Sequence, residues 1–199
     1  MKLTDTRKIM KKMEKALDAK RYEHTLGVAY TASSLAMSNG INFEKAFVAG
    51  LLHDCAKCIS NEKKLEICNK HNIEISEIER KNLCLLHAKV GSYIAAKQFR
   101  ISDRDILNAI LFHTTGRPGM SQLEKIIYIA DYIEPGRKHA PNLPKVRKLA
   151  FQDLDEALLK ILEDTLGYLG SVGGTIDPMT KRTYDYYEAY MRIEKRQED

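Results

Sequence analysis

His53 and Asp54 close an apolar run, Ala46-Phe47-Val48-Ala49-Gly50-Leu51-Leu52, that belongs in the interior of a folded chain. A carboxylate buried alone is costly enough to protonate, so Asp54 needs a charged or hydrogen-bonding partner, and a metal ion is one. Further candidate ligands lie at well separated places: His24, His87, His113 and Asp131, each at or near an apolar stretch. A carboxylate can bridge two cations through its two oxygens, whereas an imidazole ligates one. Asp54 is therefore the natural bridge, with His24, His53 and Asp131 completing one position and His87 with His113 forming a second. Nitrogen and oxygen ligands together suit iron, manganese, nickel, cobalt or zinc better than calcium. Two such ions would hold a water between them and lower its pKa toward ~7, which supplies hydroxide at neutral pH.

The plainer readings weigh against each residue singly. A histidine on an apolar face is commonly a hydrogen-bonded core residue, and Asp131 alone could be held by backbone donors. Four of the six histidines on separate apolar segments argue for a shared purpose. His71, in the polar segment Cys68-Asn69-Lys70-His71-Asn72, and His139, in the loop after Arg137, read as surface residues.

Around this cluster, Lys57 follows His53 by four residues and Asp54 by three, a spacing that predicts one helix face and a reach toward a phosphate or leaving group. Arg137 and Arg117 carry guanidinium forks that match phosphate oxygens. Thr114 and Thr115 offer hydroxyl donors. The alternatives are a solvated charge for each cation, weighted equally for Arg117, and a loop cap for the threonines. Asp54, Lys57 and Arg137 are the candidate catalytic residues; Lys57, Thr114, Thr115, Arg117 and Arg137 are the candidate substrate contacts.

Helices must position these groups. Thr4 or Asp5 can cap a first helix through about Ala19, Arg21 to Ser38 reads as a second ended by Asn39-Gly40, and Asn42 can cap a third running to His53-Asp54. Shorter helices follow around Glu62 to Lys70 and from Ser76, where Glu79 completes a capping box. His87 to Phe99, Ile106 to His113 and Leu123 to Ile133 are helical, the last two led by Ser102 with Asp105 and Ser121 with Glu124. Leu154 to Leu169 and a last helix from Asp177-Pro178 to about Arg196 complete an all-α bundle with additional carboxyl-terminal helices, over about 144–197. Tyr184, Tyr186, Tyr187 and Tyr190 predict aromatic packing against the preceding helix or a second subunit, which leaves a homodimer open.

At 199 residues, 44% hydrophobic and 30% charged, the chain reads as one soluble domain over 1–199, with its ligand core at about 20–137. The formal charge of +5 is dispersed among acidic residues, which favours a small phosphate-bearing partner over nucleic acid. The amino terminus lacks the apolar core of a signal peptide and no run is long enough to span a bilayer, so a cytoplasmic location without membrane contact is expected. Cys55 and Cys58 form an isolated C-x-x-C pair, which together with Cys68 and Cys84 reads as ordinary thiols.

The order His24, His53-Asp54, Asp131 resembles the H…HD…D pattern of the HD-domain metal-dependent phosphohydrolases, and His87 with His113 resembles the members that carry two metals. Local blocks narrow the likeness: Glu23-His24-Thr25-Leu26-Gly27-Val28, Leu51-Leu52-His53-Asp54-Cys55-Ala56-Lys57, His113-Thr114-Thr115-Gly116-Arg117 and Ile129-Ala130-Asp131-Tyr132-Ile133-Glu134-Pro135-Gly136-Arg137. Together they resemble the YqeK family of bacterial symmetrical dinucleoside tetraphosphatases. The resemblance covers roughly 22–150 and implies an HD-domain helical fold, a dinuclear iron centre and cleavage of diadenosine tetraphosphate into two ADP. Cys55 and His139 depart from the aromatic residues expected at those places, which bears on nucleobase packing. Rival readings are an HD-domain nucleotidase or phosphodiesterase acting on another nucleotide, and a non-catalytic nucleotide-binding module stabilised by its metal. No Gly-Tyr-Pro signature of the cyclic-dinucleotide group follows the HD pair.

Overall fold

In the computed structural model, which describes residues 3–198, the chain is an all-α bundle with no strand among those residues. The helix α1 spans Leu3–Ala16 and α2 spans Ala19–Ser38. The first helix stops short of the expected Ala19 because the Asp18 carboxylate accepts from the Arg21 N–H at 2.8 Å and starts α2 instead. Helix α3 spans Phe43–Leu52 and is capped by Asn42, whose side chain accepts from the Lys45 N–H at 2.9 Å.

Helices α2 and α3 cross at unusually short range. A Cβ added at Gly50 would sit 2.7 Å from the Ala29 Cα, so only glycine lets the two backbones approach this closely. That approach brings the His24 and His53 rings to 5.4 Å between centroids.

His53 and Asp54 were expected inside the third helix, but α3 ends at Leu52 and a chain of tight turns follows. There the Cys55 N–H donates to the Leu52 carbonyl at 3.1 Å and the Lys57 N–H to the Asp54 carbonyl at 2.9 Å. These three-residue steps turn His53, Asp54 and Lys57 toward one place without a continuous helix face.

Helix α4 spans Asn61–Lys70, α5 spans Glu77–Lys81, and a single 3-10 turn, Leu83–Leu85, leads into α6, Leu86–Gln98. Helix α7 spans Arg104–Phe112 and is capped by Asp103 in place of Ser102: the Asp103 carboxylate accepts from the Asp105 N–H at 2.9 Å. Ser102 is thereby freed of the cap. Helix α8 spans Gln122–Ile133 and opens with the Ser121–Glu124 capping box; the Ser76–Glu79 box at α5 is also formed. A short helix that the apolar periodicity does not announce, α9, spans Leu143–Leu149; α10 spans Leu154–Ser171 and α11 Pro178–Glu198.

Helices α2, α3, α7 and α8 pack together, α10 lies on α8, and α11 on α10. Tyr187 of α11 turns inward, where its hydroxyl accepts from the Met120 N–H at 2.9 Å, whereas Tyr186 and Tyr190 remain exposed. All four cysteines are free thiols, and no helix among the described residues is long and apolar enough to cross a membrane.

Candidate metal centre

Six side chains converge from α2, the turn after α3, the start of α6, the end of α7 and α8. Asp54 sits at their middle, with its side chain 3% exposed, and its two oxygens face different neighbours. Oδ2 lies 3.5 Å from His53 Nε2 and 4.0 Å from His24 Nε2; Oδ1 lies 3.3 Å from His87 Nε2 and 3.6 Å from His113 Nε2. His24 Nε2 is 3.1 Å from Asp131 Oδ1, and His53 Nε2 is 4.0 Å from the same oxygen. The ligating atoms of His24, His53 and Asp131 fall within 4.8 Å of one another, as do those of His53, Asp54 and His113. His53 thus borders both groups, which the sequence reading assigned to one.

Hydrogen bonding at the far side of each ring decides what the near side can do. His53 Nδ1 lies 2.7 Å from the Gly50 carbonyl, His87 Nδ1 2.7 Å from the Cys84 carbonyl, and His113 Nδ1 2.7 Å from the Ile110 carbonyl. A carbonyl only accepts, so Nδ1 carries the proton in all three and a neutral ring presents a bare lone pair at Nε2. The Nε2 atoms of His87 and His113 nevertheless stand 3.1 Å apart. Two lone pairs at that distance repel unless a cation lies between or beside them. His53 Nε2, His24 Nε2 and Asp54 Oδ1 are buried without a hydrogen-bond partner among the described residues. These orphaned donors to a metal fit a divalent transition ion, with the ring orientation fixed from behind.

Charge follows the same arrangement. Burial works to raise the Asp54 carboxyl, but His53 and His113 outweigh it and hold the group ionised far below the usual carboxylate range. Burial also opposes ionisation of Asp131, yet His24, 3.1 Å away, and the nearby His53 lower it. Burial first, then His113 and Lys57 beside it, pull the His87 imidazole down to about 3, which keeps it in the neutral form that ligates metal. His24 moves the other way: burial lowers it, and Asp131 and Glu134 together more than compensate.

The expected substrate contacts fall into two groups. Lys57 Nζ reaches the cluster, 3.2 Å from His87 Nε2 and 3.8 Å from Asp54 Oδ1. Arg137 donates to Asp131 Oδ1 at 3.0 Å and to its backbone carbonyl at 2.8 Å, and Thr114 Oγ1 is 3.5 Å from His113 Nε2. Arg117 is instead forked onto buried Glu124, through Nε at 2.9 Å and a terminal nitrogen at 2.8 Å. The Thr115 hydroxyl donates to the Gly116 carbonyl at 3.0 Å.

Three residues to which the sequence reading gave no role in the site complete it. Arg21 donates to Asp54 Oδ2 at 2.8 Å. Glu134, 4% exposed, faces His24 Nδ1 at 3.2 Å through Oε1 and accepts from the Gly136 N–H at 2.5 Å through Oε2. Glycine makes room for that carboxylate: a Cβ at Gly27 would lie 2.6 Å from Glu134 Oε2, and one at Gly136 2.9 Å. Arg147 of α9 binds the loop from behind, donating to the carbonyls of Ile133 at 2.9 Å, Glu134 at 2.9 Å and Arg137 at 3.1 Å. The only available signal was spacing: Arg21 precedes His24 by three residues and Glu134 follows Asp131 by three.

An all-α bundle with a histidine and aspartate cluster in the order H…HD…D defines an HD-domain hydrolase. Residues 21–136 match the HD domain family model. The chain is 40% identical over 174 residues to the symmetrical bis(5'-nucleosyl)-tetraphosphatase of Bacillus subtilis, covering 87% of this chain and 92% of that protein. It is 41% identical over 165 residues to the protein of the same description from Halalkalibacterium halodurans, covering 83% and 87%. Its fold is shared, at a TM-score of 0.89 and 44% identity, with the crystal structure of a predicted HD superfamily hydrolase involved in NAD metabolism from Clostridium acetobutylicum, covering 92% of this chain and 97% of that one. The chain belongs to the HD-domain family, and within it to the family of these symmetrical tetraphosphatases.

Proposed function

We propose that this enzyme cleaves diadenosine tetraphosphate symmetrically into two ADP at a centre of two transition-metal ions, with iron as the resident metal. The observation that carries the metal-centred chemistry is the 3.1 Å approach of the His87 and His113 Nε2 atoms, each ring fixed through Nδ1 so that both lone pairs face inward. Symmetry of cleavage is supported by kinship with the Bacillus and Halalkalibacterium proteins.

His24, His53 and Asp131 would hold one ion and His87 and His113 the other, and Asp54, with one carboxylate oxygen toward each group, would serve both. Bound there, the ions would supply a water acidified toward pKa ~7 and Lewis-acid charge for a phosphate. Arg21 steadies the Asp54 carboxylate, and Glu134 orients His24 through Nδ1. Lys57, a third exposed and free to swing, takes up charge on the phosphate chain or the departing ADP. Arg137, with its side chain 40% exposed, holds Asp131 through one terminal nitrogen and keeps the other for phosphate oxygens. Thr114 offers its hydroxyl beside His113. Arg117 can reach substrate only by abandoning Glu124, so its part is to anchor the loop; Thr115 belongs to the same loop.

The enzyme acts in the cytoplasm as one domain over 1–199. The stacked Tyr186 and Tyr190, exposed on α11, support a homodimer through that face. Metal analysis of protein purified without added metal, paired with turnover of dinucleoside tetraphosphates against mononucleotides, tests the reading. Iron as the bound metal with preference for the dinucleotide is expected; preferential hydrolysis of mononucleotides would transfer the assignment to another HD-domain activity, and nucleotide binding without product to a non-catalytic module.

A further inference from the structure

The two groups of ligands are not alike in what already touches them. At the His24, His53 and Asp131 group, the cationic side chains sit on carboxylates: Arg21 on Asp54 Oδ2 at 2.8 Å and Arg137 on Asp131 Oδ1 at 3.0 Å. Carboxylate oxygens have lone pairs to spare, so both can still face an ion. Glu134 adds a further negative charge behind His24, at 3.2 Å from Nδ1. At the other group the cation is Lys57, and its Nζ lies 3.2 Å from His87 Nε2. That nitrogen has one lone pair. With Nδ1 donating to the Cys84 carbonyl, the lone pair is what an ammonium N–H must use, and it is also what a metal must use. Among the described residues, the carboxylate that faces this group is the shared Asp54.

We infer that the two metal positions load unequally: the His24, His53 and Asp131 position keeps its ion in the resting protein, whereas Lys57 occupies the His87 lone pair until a nucleotide phosphate draws the ammonium away and the second ion enters. The inference rests on the proposed nucleotide substrate, whose phosphates supply the anion. The geometry permits the exchange. Lys57 follows Asp54 in an irregular turn, its side chain is 35% exposed, and the carboxylate oxygen it faces, Asp54 Oδ1, stands off at 3.8 Å. A phosphate oxygen offers a stronger acceptor than a neutral imidazole. Lys57 thus acts as a placeholder that couples completion of the metal centre to arrival of substrate, and an ion without nucleotide meets a like charge at the second position.

The test uses the full chain loaded with excess Mn2+, passed through a desalting column with or without ADP, and assayed for manganese per chain. Wild type should keep about one ion without ADP and about two with it, a twofold rise. Lys57→Met should keep about two in both conditions, with an unchanged circular dichroism spectrum. Two ions retained by wild type without ADP, or a count that ADP leaves unchanged, would overturn the inference, as would a Lys57→Met protein that still needs ADP. Lys57→Gln serves if the methionine variant fails to fold, and the wild-type comparison stands without either. Because retention is read without turnover, a failure to hydrolyse diadenosine tetraphosphate would sink the proposed function and leave this result separate.

Discussion

Replacing Gly27 by alanine puts a small, helix-favouring residue into the middle of α2, and on propensity alone would stabilise the helix by ~1 kcal/mol. The site reverses that sign. The new Cβ would lie 2.6 Å from Glu134 Oε2, so the carboxylate must shift. It is held on both sides, by Gly136 N–H at 2.5 Å and His24 Nδ1 at 3.2 Å, and it is buried. A hydrogen bond to a charged group contributes about 1.5–3 kcal/mol, so losing one of the two leaves a net cost of ~0.5–2 kcal/mol after the propensity gain. At about 2–4 °C per kcal/mol for a chain of this size, the melting temperature should fall by ~1–8 °C. Metal affinity should weaken by about 10–100-fold, because His24 loses its orienting partner. The decisive assay is a double-mutant cycle read by thermal melting and metal retention. In a Glu134→Ala background, Gly27→Ala should become neutral or stabilising. An equal cost in both backgrounds would refute the claim that Gly27 is kept small for Glu134.

Three further outcomes follow from the same geometry. Gly50→Ala would drive a Cβ to 2.7 Å from the Ala29 Cα, a backbone atom that cannot step aside, so a loss of about 1–3 kcal/mol in chemical denaturation is expected, together with weaker metal retention. Arg117→Ala should leave fully buried Glu124 without its fork and lower stability by about 2–3 kcal/mol, with KM for the dinucleotide unchanged; a rise in KM at unchanged stability would return Arg117 to the substrate. Asp54→Asn removes the buried charge between the two ligand groups at nearly constant shape, so both metal content and hydrolysis should disappear while the circular dichroism spectrum stays helical; full activity in this variant would be incompatible with the proposed bridging role.

What the sequence made legible depended on repetition and burial. The six converging residues were recoverable because each stands at an apolar segment where an isolated polar group would be unexplained, and the capping boxes at Ser76 and Ser121 because they use a fixed three-residue step. Less legible was anything fixed by tertiary contact. The end of α3 at Leu52 could not be read, since the apolar run continues to the HD pair without a breaker. Helix α9, with Pro144 in its first turn, has only seven residues and too little periodicity to register. Arg21 and Glu134 looked like ordinary polar positions; only folding shows that one meets Asp54 and the other His24 across 110 residues of chain. Lys57 illustrates a correct placement for an incomplete reason, since the turn, not a shared helix face, carries it to the cluster.

Chromatographic identification of the nucleotides released from diadenosine tetraphosphate by the metal-loaded enzyme, with a fully chelated sample alongside, tests the central claim most directly. ADP as the sole product, absent after chelation, is the predicted result. Release of ATP with AMP, or turnover that survives complete removal of metal, would contradict it.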